Sequence, residues 1–317
     1  MNTNRNDLLK IIALTIIAVL SSVLANINTL FTVMFLWVGA SFVSISYASD
    51  NNYNVLLSSM IYTFVQYILF GSMNYAFISS AIVLLPAIIL GKTMRRKEFD
   101  DVGYLLCTVI MAIVIMATFK IILADANFIK DLKSAVDETV KNLNSANNVY
   151  KLPTQIDAKT MIKTMKEIFP ATVVIISLMY VTISKYMAIS VIKKQFPQKP
   201  LELEPFNKFV VPSKLGVMFV SFYLVSNAIA FFGYITQEYY KILMNNVLYV
   251  MAYILMMNGL AVVMYSIRNT KSRLIKNIVI VVLVFLFFII NVPLVILGVL
   301  DMAFDFRKLG FRRKRYE

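Results

Sequence analysis

The chain contains no histidine and only one cysteine, Cys107. Without histidine it lacks the commonest general base, proton shuttle and metal ligand. One cysteine cannot close an intrachain disulfide, and a thiol inside an apolar run is an inert packing group rather than a nucleophile. No phosphate-cradling Walker loop, G-x-S-x-G elbow or Cys/His metal spacing occurs. Asp and Glu are missing from the middle of the first eight apolar runs, so a carboxylate-based proton or sodium relay lacks its usual parts. The expectation is a chain that is not an enzyme, holds no cofactor or metal, and relies on another chain for any coupling to ATP.

What is present is apolar. Hydrophobic residues make up 59% of the 317 positions, with a mean hydropathy of +0.74. Soluble domains run at roughly 45–50%. The excess lies in repeated runs long enough to cross about 30 Å of hydrocarbon as helix. Strand-like alternation is missing from these runs, and in lipid a helix is the remaining backbone that satisfies its own hydrogen bonds. The sequence therefore predicts an all-α polytopic membrane protein with about nine or ten spans. They are expected near 9–25, 28–47, 54–70, 75–91, 103–123, 169–190, 214–235, 242–267 and 278–300. Residues 1–24 resemble a signal peptide but lack a convincing small-x-small cleavage site, and read as the first span. One membrane domain over 1–317 is the economical division.

Between the fifth and sixth spans lies an amphipathic helical insertion, 124–168. There Phe128, Leu132, Val136, Val140 and Leu143 recur at helical intervals. A second helix is expected from Ile156 into the following span. The net charge of +14 comes from basic loops, which reads as positive-inside bias rather than nucleic-acid binding. With the amino terminus in the cytoplasm, the inner segments hold Arg5 and Lys10, then Lys92 to Lys97, Lys185 to Lys214, and Arg268 to Lys276. The outer loops keep Lys120 to Lys166, largely offset by Asp and Glu, and Lys241. Anionic lipid headgroups are the natural partner of such loops.

The carboxyl end is ambiguous in sequence. Ile278 to Leu300 makes about 34 Å of helix, enough for one crossing. That crossing would carry the basic tail, 302–317, outside. A hairpin broken at Asn291-Val292-Pro293 would keep the tail in the cytoplasm, and is the favoured reading.

Polar groups inside a bilayer are costly, so they mark helix contacts or a pathway. Gln66, Asn227, Asn258 and Asn291 are the candidate ligand-binding amides, with interhelical packing as the plainer alternative for each. Asp301 and Asp305 are four residues apart, just before Arg307. They suggest an interfacial ion-pair collar or a partner-docking face. The stiff segment Pro205, Phe206, Phe209 and Pro212 is a second candidate docking element for a membrane or cytoplasmic protein.

Several of these residues carry a resemblance. Glu204-Pro205-Phe206 with Phe209 and Pro212, Asn246-Val247-Leu248-Tyr249, Asn258-Gly259-Leu260-Ala261-Val262, Gly298-Val299-Leu300-Asp301 and Asp305-Phe306-Arg307 resemble the YybS-like family of bacterial membrane proteins. Position 258 is Asn where that pattern has Gln. The resemblance implies a bacterial inner membrane and a distant similarity to substrate-binding components of energy-coupling-factor transporters, which lack an ATPase. Two functions are consistent with these residues: a small-molecule carrier or substrate-binding subunit, or a non-transporting scaffold acting through 197–214 and the tail.

Overall fold

The computed structural model describes residues 5–27, 34–49, 52–95, 100–122, 126–149, 157–198, 205–211, 213–233, 236–269 and 292–307. Asn291, Pro212, the apolar stretch before Val292 and the tail beyond Arg307 lie outside the described residues. The helices are α1 (Arg5–Ile27), α2 (Phe35–Ala48), α3 (Asn52–Phe70), α4 (Met73–Met94), α5 (Asp100–Ile122), α6 (Ala126–Val149), α7 (Ala158–Gln195), α8 (Ser213–Phe231), α9 (Gln237–Asn269) and α10 (Val292–Phe304). A 3-10 turn covers Phe206–Lys208, and no strand occurs among the described residues. The protein is a polytopic helical membrane protein. α1, α3, α4, α5, α7, α8 and α9 are long and apolar enough to cross a membrane. Of the second and last expected spans only 34–47 and 292–300 are described, and they lie in the apolar helices α2 and α10.

The helix expected from Ile156 does not stop before the next span. It runs on as one 38-residue helix, α7, with Pro170 inside it and the Asp157 side chain capping the Thr160 N–H at 3.2 Å. That cap satisfies one of the donors a helix amino terminus leaves open. α6 takes the amphipathic helix expected there, with Val136 buried and Lys133, Asp137, Glu138 and Lys141 exposed.

The chain divides into two compact units. The first comprises Met1–Lys166 and Val173–Leu203. Its centre is α2, whose residues from Val38 to Ala48 are all buried, packed against α1 and α4. Small residues permit this close approach, as lipid-embedded helices require. A Cβ on Gly91 would come within 2.5 Å of the Val43 carbonyl oxygen, and one on Gly39 would meet the Tyr180 hydroxyl. Ser46 Oγ donates to the Ile88 carbonyl at 2.8 Å, and Tyr180 donates to the Val83 carbonyl at 3.0 Å. Three cations of this unit make specific contacts. Lys10 lies over the Phe196 ring, Lys185 over the Tyr104 ring, and Arg95 donates to the Ser49 carbonyl at 2.7 Å.

The second unit comprises Glu167–Thr172 and Glu204–Glu317. α9 and α10 cross with backbones nearly touching. A Cβ on Gly259 would run into the Leu294 carbonyl, and one on Gly298 into the Leu255 carbonyl. By contrast α8 is largely exposed, with Val217, Met218, Leu224 and Phe231 all uncovered within the unit. An apolar cleft of about 650 Å³ lies between α8, α9 and α10.

Candidate functional site

Two polar centres emerge, one in each unit. In the first, α1 and α3 meet along a seam of hydroxyls and one amide. Thr15 and Ser22 sit seven residues apart on α1; Ser58, Tyr62 and Gln66 sit four apart on α3. Both spacings keep the groups on one helix face. Thr15 Oγ1 bonds Ser58 Oγ at 2.9 Å, the Tyr62 hydroxyl donates to Ser22 Oγ at 3.4 Å, and Gln66 Nε2 donates to the same oxygen. The Tyr62 ring is braced by Phe42 in an edge-on contact at 5.6 Å. Gln66 is only 1% exposed, yet its Oε1 has no hydrogen-bond partner. Turning the amide over exchanges an unpaired carbonyl for an unpaired NH₂ group. The seam is therefore left one bond short.

The second centre is a closed network around Asn258, which is wholly buried. Its Nδ2 donates to the Gly298 carbonyl at 2.9 Å and to Asp301 Oδ2 at 3.3 Å. Its Oδ1 accepts from the Val211 N–H at 3.3 Å and from Arg307 Nη2 at 2.9 Å. Arg307 also grips Asp301 side-on, Nη2 to Oδ2 at 2.6 Å and Nε to Oδ1 at 3.3 Å. Its Nη1 donates to the Asn207 carbonyl at 3.0 Å. The ion pair is almost fully enclosed, at 2% and 1% side-chain exposure. Such a pair is stable only when its geometry is good and its remaining donors are satisfied. Here both conditions hold.

This arrangement joins residues that sequence reasoning kept apart. Asn258 was singled out as a ligand amide, Asp301 and Arg307 as docking groups; all three are in one network and bonded to protein. Asp301 and Asp305 do not share a helix face. α10 ends at Phe304, and Asp305 takes a left-handed φ of 46° while its N–H returns to the Asp301 carbonyl at 2.8 Å. That turn brings Arg307 back toward Asp301.

The other candidates are placed elsewhere. Asn227 is half-buried on α8, its Nδ2 donating to the Tyr223 carbonyl one turn back. Pro205, Phe206 and Phe209 are half-buried, with the two rings stacked at 6.0 Å. A second stacked pair, Phe304 and Phe306 at 5.9 Å, is exposed within the unit.

Asn246 was missed as a site in the sequence. Its Oδ1 accepts from the Ala171 N–H at 2.7 Å, and its Nδ2 donates to the Glu167 carbonyl at 2.7 Å. Ala171 N–H and Glu167 C=O are the pair an unbroken helix joins to each other. Asn246 thus braces α7 beside Pro170. The signal was the proline: a proline inside a membrane helix needs a neighbour to re-satisfy the backbone around it.

A family model described as Predicted membrane protein (DUF2232) matches residues 10–302. The chain belongs to the DUF2232 family of predicted membrane proteins. The match covers parts of both units, including Gln66, Asn246, Asn258 and Asp301, and stops short of Arg307. Neither the curated proteins nor the solved structures returned a match.

Proposed function

We propose that the chain is a small-molecule carrier or substrate-binding subunit without an ATPase or enzymatic activity of its own, and that its ligand is met beside Gln66. The observation that carries this reading is the unpaired amide end of Gln66, enclosed in the first unit. A buried acceptor without a donor costs about 1–3 kcal/mol. A ligand that donates one hydrogen bond there recovers that cost. The immediate neighbours, Ser22 and Tyr62, are hydroxyls, which suits a neutral ligand carrying an O–H or N–H group.

The ligand role moves away from Asn258, because both ends of that amide are already bonded to protein. The resemblance to the YybS-like family, and through it to substrate-binding components of energy-coupling-factor transporters, supports the same class of function and a bacterial inner membrane. Orientation follows the basic loops: the end of the first unit where α1 begins near Lys10 and α4 ends beside Arg95 faces the cytoplasm and anionic headgroups.

Native mass spectrometry of protein released gently from its own membranes tests the proposal. A reproducible small-molecule adduct is expected, lost in Gln66→Leu and retained in Asn227→Leu. An adduct that survives Gln66→Leu overturns the assignment. A second reading, a membrane scaffold, is favoured by the exposed Phe304–Phe306 pair. It expects proteins rather than a small molecule to travel with the chain, and their loss in Phe304→Ala with Phe306→Ala.

A further inference from the structure

One guanidinium in the second unit holds three separate stretches of chain. Arg307 bonds Asp301 on α10, Asn258 on α9 and the Asn207 carbonyl in the segment leading into α8. Asn258 reinforces the arrangement by accepting from the Val211 N–H of that same segment. We propose that Arg307 is a latch that pins the start of the carboxyl tail to segment 205–211 on a single face of the membrane, so that the two are held and released together.

Sidedness follows from distance and parity. α8 and α9 are each long enough to cross. The chain therefore leaves the face of segment 205–211 through α8 and returns to it through α9. A hydrogen bond of 3.0 Å from Arg307 to Asn207 cannot reach across about 30 Å of hydrocarbon. Arg307 and segment 205–211 thus sit at one depth, and the tail is taken to leave on the face from which that segment enters. α9 continues about 16 Å beyond Asn258, so the latch sits well short of the end of that helix.

Joint release follows from the bonding. Arg307 supplies both hydrogen bonds that hold the Asp301 carboxylate from the arginine side, and it is the ion-pair partner of Asp301. Withdrawing it leaves a buried carboxylate and a buried amide oxygen short of donors at the same moment that the Asn207 carbonyl is freed. Such a network has little room for a half-open state.

Single cysteines in a Cys107→Ala background test sidedness. Lys208→Cys and Gly310→Cys are treated with a membrane-impermeant maleimide in vesicles of each orientation. Labelling of both from the same face is expected; opposite faces overturn the proposal. Coupling is tested with Val211→Cys, where the native side chain is buried. Adding Arg307→Leu is expected to raise its labelling rate at least ten-fold, and an unchanged rate overturns the latch. In a separate Arg307→Leu chain that keeps Cys107, labelling of that buried thiol in the first unit reports whether the whole chain has unfolded. If it has, Arg307→Lys takes its place, keeping the charge while losing the fork. There a rise at Val211→Cys is again required, and its absence overturns the proposal.

Discussion

The seam in the first unit and the network in the second are built from similar side chains but differ in how completely they are bonded. Around Asn258 both ends of the amide, both carboxylate oxygens and all three guanidinium nitrogens have partners. Along the α1–α3 seam every link is between uncharged groups, and Gln66 keeps one end open. A closed network fixes a shape, and its parts cannot reach a ligand without first giving something up. An open valence in a fixed frame is free to bind. A buried amide is therefore informative about ligand binding only once its partners have been counted.

The sharpest way to break the comparison is Arg307→Leu. Removing one partner of a buried ion pair strands the other, so unfolding of the second unit in detergent should become easier by about 3–5 kcal/mol. A shift no larger than that of a surface substitution would mean that the network is not closed in solution. Next comes Gly298→Val, which forces side-chain atoms toward the Leu255 carbonyl. Overpacking of this kind should cost about 1–3 kcal/mol, read as a lower thermal midpoint.

A smaller loss, about 1 kcal/mol, is expected for Asn246→Leu, which removes the brace beside Pro170. Hydrogen exchange should locate it, with faster exchange confined to the turn around Ala171. The smallest effect on stability is expected at the open seam. Gln66→Leu removes an unsatisfied polar group and keeps the bulk, so the thermal midpoint should hold or rise slightly. A large fall there would mean that the amide is a packing element and that the two centres are alike.

The long helices were legible because each is a continuous apolar run, as in 75–91 and 103–123. Of the second run, 28–47, the described helix is α2, Phe35–Ala48; residues 28–33 lie outside the described residues. Gln66, Asn258 and Asp301 stood out because polar groups in apolar runs are rare. Their grouping did not, since the bonds joining Asn207, Asn258 and Arg307 span 49 and 100 residues of chain and leave no trace in local periodicity. The seam could have been found: hydroxyls at 15 and 22 lie at helical spacing on the first run, and Ser58, Tyr62 and Gln66 on the third. Asp305 misled because helical spacing was carried past the point where the helix ends.

α2 has a consequence for how the protein meets its bilayer. At about 21 Å it is shorter than the hydrocarbon is thick, which would dimple the membrane around a lone span. From Val38 to Ala48, however, α2 is walled in by other helices of its unit, and lipid tails do not touch it there. Bilayer thickness is felt by perimeter helices such as α1 and α3, whose outer faces are exposed. Moving the protein between thin and thick lipids should therefore tilt the perimeter helices of the first unit and leave α2 upright.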